Sequence, residues 1–164
     1  MKKIILMILV GICLISCGED DVPAFADMSG LADGIYRNAV SDAQGIYREE
    51  LDDDSAFAFG ISEEEFDRRV ESAVCLRQTV DTKGRALYVF EAESEADALW
   101  LARELYASYE FAPCDAAEKM TAACAGKYAI LFKSTSAEVD KAAEGFRTLT
   151  GGALRFRKDM ENKG

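Results

Sequence analysis

Gly84-Arg85-Ala86-Leu87-Tyr88-Val89-Phe90 and, 42 residues later, Gly126-Lys127-Tyr128-Ala129-Ile130-Leu131-Phe132 decide the fold. Each stretch opens on a turn glycine and a basic residue. Each then runs through apolar and strand-forming side chains. A strand-rich segment precedes each one, 74–80 in the first case and 119–124 in the second. The turns between are Asp81-Thr82-Lys83-Gly84 and Ala125-Gly126. At the same offset Ser94 and Ser136 stand where a helix N-cap is expected. The first helix, over 95–110, carries the stripe Ala98, Leu99, Ala102, Leu105, Tyr106 and Tyr109. The second carries Val139, Ala142, Ala143, Phe146 and Leu149.

The pattern predicts an α+β domain. Two ββα units should form one four-stranded, mainly antiparallel sheet with both helices on a common face. The register reads as an internal repeat. Hairpin-helix units also share turn and cap residues for physical reasons, so one sequence leaves duplication and coincidence both open. Residues 86–90 and 128–132 are apolar on both sides of the strand. These strands should be central, and their second face needs cover from an N-terminal helix or a partner.

Outward from this core the signals weaken. Leu31, Ile35, Ala39 and Val40 predict a helix over 28–40, followed by a turn; Gly30, Gly34 and Gly45 weaken helix here. Leu51-Asp52-Asp53-Asp54 lacks the alternating carboxylates of a calcium loop and reads as loop or helix-start charge. Ile61-Ser62-Glu63-Glu64-Glu65-Phe66 predicts a short helix ending near Val70. Ser62 and Glu65 are spaced as a capping box, and Ile61 and Phe66 as a hydrophobic staple. After Thr150-Gly151-Gly152 the tail is polar. Leu154 and Phe156 alternate with Arg155 and Arg157 and can add a strand, but fraying is the stronger expectation at a chain end.

The start of the chain gives an address. Lys2 and Lys3 precede the apolar run 4–15, which has signal-peptide length and is too short for a span of roughly 20 apolar residues. Leu14-Ile15-Ser16-Cys17 resembles the lipobox of bacterial lipoproteins. That resemblance implies diacylglyceryl transfer to the Cys17 thiol, cleavage before Cys17 and acylation of its new amine by a chain such as palmitate. Two or three acyl chains suffice for stable anchoring. Cys17 is thus the one predicted site residue, and its role is lipidation. The expected organisation is a signal peptide over 1–16, lipidated cysteine and acidic tether over 17–26, one α+β domain over 27–150 and a polar tail over 151–164. The expected location is the extracytoplasmic face of the cell membrane.

Cleavage removes 16 of the 164 residues and leaves 148, one domain's worth. Loss of Lys2 and Lys3 reduces the 19 basic residues to 17 against 30 acidic, a net charge of −13. Such a surface is repelled by nucleic acid. The chain has no histidine, which removes Ser-His and Cys-His nucleophile activation and His-ligated zinc. With Cys17 acylated, Cys75, Cys114 and Cys124 remain, an odd number without a CxxC motif. Cys114 and Cys124 can pair if the segment between them folds back; buried free thiols are the plainer expectation.

The order of parts also resembles the small bacterial lipoprotein domain known as domain of unknown function 4358. It runs from Phe59-Gly60-Ile61 and its capped acidic helix through Arg85-Ala86-Leu87-Tyr88-Val89-Phe90, Phe111-Ala112-Pro113 and Gly126-Lys127-Tyr128-Ala129-Ile130-Leu131 to a last helix. The likeness covers about 27–149 and implies a lipid-anchored domain, with no catalytic residue and no cofactor. The functional expectation is a non-enzymatic binding or interaction module with an envelope protein as partner. One alternative is a small-ligand carrier serving a transporter, with Tyr88, Trp100, Tyr106, Tyr109 and Tyr128 as pocket aromatics. Another is an enzyme using Cys75, Cys114 or Cys124 with a carboxylate, whose thiol would need a Lys or Arg neighbour to lower its pKa.

Overall fold

A computed structural model describes residues 28–164. Cys17, the apolar run, the tether and Asp27 lie outside the described residues. The helices are α1 (Met28–Ala39), a 3-10 helix (Asp53–Phe59), α2 (Glu63–Arg69), α3 (Glu95–Ser108) and α4 (Ser136–Leu149). The strands are β1 (Ile46–Glu50), β2 (Val70–Gln78), β3 (Ala86–Ala92), β4 (Lys119–Ala125), β5 (Tyr128–Ser134) and β6 (Phe156–Glu161).

The α+β class holds, but the sheet has six strands, not four. Their order is β1-β2-β3-β5-β4-β6, with every neighbouring pair antiparallel. The two additional strands are the edges. In β1 four of five residues are exposed, so it lacks the apolar alternation that marks a strand. In β6 the tail pairs with β4 from Phe156 to Glu161 instead of fraying. β3 and β5 take the middle of the sheet, as expected; β5 is buried at six of seven positions, and β4 beside it at all seven.

The helices do not share a face. Leu31, Ile35 and Tyr36 of α1 and Val139, Ala142 and Phe146 of α4 pack with Leu87, Val89, Ile130 and Phe132 on one face. Phe59, Phe66 of α2 and Leu101 and Leu105 of α3 pack with Phe90, Met120, Ala129 and Leu131 on the other. The sheet is therefore the middle layer of three. The cover expected from the N-terminal helix is α1, which shares its face with α4.

The reason lies in the handedness of connections. The crossovers β3-α3-β4 and β5-α4-β6 each join parallel strands separated by one neighbour, and both step toward the β6 edge. The strands that begin them, β3 and β5, run in opposite directions. Two crossovers of one hand, starting antiparallel and stepping the same way, must put their helices on opposite faces. The repeat inverts accordingly. Leu87 and Val89 face α1 and α4, whereas Ala129 and Leu131, 42 residues on, face α3. Exchanging side, strand direction and face together is an inversion, which no rotation performs on L-residues. The two halves share local grammar without being superposable ββα units.

Caps show smaller differences. Ser94 caps α3 as expected, but Thr135, not Ser136, caps α4. Leu101, not Leu99, belongs to the buried stripe of α3. Ser62 accepts from the Glu65 amide, yet the Glu65 carboxylate turns to Arg68 and Arg69, so only half of that capping box forms. The complete box is one element earlier, between Asp52 and Ser55. The acidic run is thus the start of the 3-10 helix.

Gly84 fixes the β2–β3 turn. Its φ is +64°, and an added Cβ would lie 2.6 Å from Asp115 Oδ1 and 2.7 Å from the Ala117 amide nitrogen. Gly84→Ala should lower stability by about 2–4 kcal/mol, combining left-handed strain with a backbone clash. Gly30→Ala, in helix with nothing within 4 Å of the new Cβ, should raise it by up to about 1 kcal/mol. Urea unfolding of the two variants tests both signs.

Candidate functional site

Two sites lie back to back at the end of the sheet where β2 turns into β3. Alternation along β2 assigns their residues. Cys75 and Arg77 point to the α3 face, and Leu76 and Gln78 to the α1/α4 face.

On the α1/α4 face Arg85 is buried in a polar cluster. Its Nε donates to Glu138 Oε2 at 2.9 Å, and its Nη2 donates to Glu138 Oε1 at 2.7 Å and Asp42 Oδ1 at 2.8 Å. Nη1 donates to Gln78 Oε1, and the Arg85 amide to Asp81 Oδ2. Lys83 Nζ reaches Glu138 at 3.3 Å, and the Ser134 hydroxyl donates to the same carboxylate. Burial opposes ionisation of Glu138, but the donors outweigh it and hold its pKa at about 2. Arg85 in turn is held above its ordinary value by Glu138. A cleft of about 560 Å³ opens beside this cluster, lined by Asp42, Gln78, Thr79, Thr82, Lys83 and Arg85. Every Arg85 nitrogen already has a protein acceptor, so the cluster is a clamp across the layers. Tyr36 lies behind it with no hydrogen-bond partner for its buried hydroxyl among the described residues, and burial raises its pKa to about 12.

On the α3 face a cavity of about 210 Å³ is lined by Glu49, Leu51, Phe59, Arg77, Tyr88 and Tyr109, with Ser55, Ala58 and Leu131 completing it. Glu49, Cys75, Tyr88 and Leu131 are successive cross-strand partners beneath and beside it, with Tyr88 and Leu131 in its floor and Glu49 at its rim. Arg77 Nε donates to Cys75 Sγ at 3.1 Å, and Nη2 lies 3.5 Å from Glu49 Oε2. The guanidinium sits 5.9 Å from the Tyr88 ring centroid. Phe59 meets Tyr88 edge-on at 5.1 Å. Tyr109 Oη donates to Asp115 Oδ2 at 3.3 Å, and Lys133 Nζ donates to the same oxygen at 2.6 Å. Burial works against ionised Asp115, but Lys133 and the Ala117 amide lower its pKa overall. Burial raises Tyr88 to about 12.

The sequence-predicted residues divide. Of the five pocket aromatics, Tyr88 and Tyr109 line this cavity. Trp100 lies under Arg69 at 4.3 Å, Tyr106 under Lys158 at 5.1 Å, and Tyr128 is core. Cys75, Cys114 and Cys124 are free thiols. Cys75 and Cys124 are buried as expected, whereas Cys114 is exposed. Burial raises Cys75 despite Arg77, and raises Cys124 to about 11, which disfavours the nucleophilic thiolate. Among the described residues no cluster of three or more Cys, Asp or Glu is placed to hold a metal ion, and no helix is long and apolar enough to cross a membrane. No family model, curated protein or solved structure matches the chain.

Two outcomes test the clamp. Glu138 has a folded pKa below its ordinary 4.5, so its contribution is complete above pH 4.5 and is lost as pH falls from there toward 2. Glu138→Gln should cost about 3–5 kcal/mol at neutral pH and flatten the stability profile in that window, measured by urea titration at each pH. Tyr36→Phe should be neutral or stabilising by about 1 kcal/mol, because it removes a buried hydroxyl with no partner. A loss of that size would instead reveal a bridging water.

Proposed function

We propose that this chain is a lipid-anchored, extracytoplasmic binding module at the bacterial cell envelope, working without catalysis. Leu14-Ile15-Ser16-Cys17 at the end of the apolar run carries the reading. Acylated Cys17 ties the protein to the membrane, and the tether holds the domain clear of the lipid surface. The strongly acidic surface suits an extracytoplasmic protein that avoids nucleic acid and anionic headgroups and meets an envelope partner through cationic or apolar contacts. The order of motifs from Phe59 to the last helix, read as a resemblance to the lipoprotein domain of unknown function 4358, belongs to the same proposal. Non-catalytic action draws support from the thiols, two of which are buried and held in the protonated form.

A second reading, a small-ligand carrier serving a transporter, is favoured by the cavity beside Tyr88 and Tyr109. It has an apolar floor and charged groups at its rim, the usual make-up of a small-molecule site.

Cys17→Ala should abolish metabolic labelling by a palmitate analogue and release the protein from the membrane fraction. A variant that stays labelled and membrane-bound would overturn the anchor.

A further inference from the structure

The cavity on the α3 face is specific enough in its chemistry to name a ligand class. Its charged lining groups are one cation and one anion, Arg77 and Glu49, at its rim. They are cross-strand neighbours on adjacent strands, since Glu49 pairs with Cys75 and Tyr47 with Arg77. Their contact is long, 3.5 Å, and both side chains are nearly half exposed, at 49% and 45%. An exposed ion pair of this kind contributes at most about 1 kcal/mol and opens easily. Apart from Ser55, the rest of the lining is apolar or aromatic: Leu51, Ala58, Phe59, Leu131, Tyr88 and Tyr109.

We infer that this pocket binds the zwitterion of a single free amino acid with an apolar or aromatic side chain. The ligand carboxylate replaces Glu49 on the Arg77 fork, and the ligand ammonium takes the Glu49 carboxylate. Both charges of the open pair are then satisfied by the mirrored pair on the ligand. The ligand side chain lies against Phe59, Tyr88 and Leu131. A simple anion is opposed by Glu49 and by the acidic run Asp52-Asp53-Asp54 that leads into Ser55 of the wall. A simple amine is opposed by Arg77, which covers the Tyr88 ring. The volume, about 210 Å³, falls below the roughly 300–1,000 Å³ of sites for drug-sized ligands, which restricts the occupant to one small molecule.

The inference deepens the binding-module reading and does not depend on the anchor. Titration calorimetry on the detergent-solubilised full-length protein tests it, with L-phenylalanine and L-leucine as probes. Phenethylamine and 3-phenylpropionate each lack one charge. Saturable binding of an amino acid is expected, weakened roughly tenfold or more in each analogue and in Arg77→Ala. Ala58 is exposed at the mouth, so Ala58→Trp should block the pocket without disturbing the core. An unchanged circular dichroism melt of that variant with lost binding assigns the loss to the pocket. Absence of saturable binding, binding that survives Ala58→Trp, or an analogue binding as tightly as the amino acid overturns the inference. Acyl labelling of the same preparation reports separately on the anchor, so a labelled protein that binds neither amino acid loses the pocket assignment alone.

Discussion

The bidentate pair between Arg85 and Glu138 joins parts of the chain that lie 53 residues apart, and it ties the α1/α4 layer to the sheet. Arg85 sits just before β3 at the turn end of the sheet, and Glu138 sits in the first turn of α4. The same guanidinium reaches Asp42 in the loop after α1 and Gln78 at the end of β2. One side chain therefore links the first turn of α4 and the loop after α1 to the end of β2. A buried charge of this kind stabilises only when its partners are complete, and removal of one leaves the other in a poor solvent. The acceptors crowd around a single cation, with Lys83 added at the rim, and Glu138 remains ionised despite its burial.

The class of fold was legible because its inner elements are local. The two hairpins, the stop of α3 and the Ser94 cap are decided by residues within a few positions of each other. The number of strands was not legible. Strand β1 has an exposed sequence, Ile46-Tyr47-Arg48-Glu49-Glu50, and becomes a strand only because β2 offers it hydrogen bonds. Strand β6 takes its place for the same reason beside β4. The assignment of helices to faces was also out of reach of pattern reading. Apolar residues on both sides of β3 and β5 show that both faces are buried, but not which helix covers which. Strand order, together with the hand of the crossovers, decides that.

The site shows a similar division. Tyr88 and Tyr109 were visible as aromatic residues, but five tyrosine and tryptophan positions looked alike in sequence, and only packing separates the two in the cavity from the three elsewhere. Arg77 and Glu49 carried no signal, because each reads as an ordinary solvent-facing charge. Arg85 was visible as the basic residue after a turn glycine. Its burial was not, since the matching Lys127 stays at the surface and pairs with Glu71 and Glu91.

Strand β6 has a consequence for the order of folding. Its partner β4 waits some thirty residues for it, and Asn162 then bonds the carbonyls of Asp115 and Ala117, closing the loop that packs on the β2–β3 turn. The last dozen residues are thus structural, and a nascent chain lacking them has an open β4 edge on an otherwise buried strand. A chain emerging from N- to C-terminus cannot finish its sheet until its final residues are free.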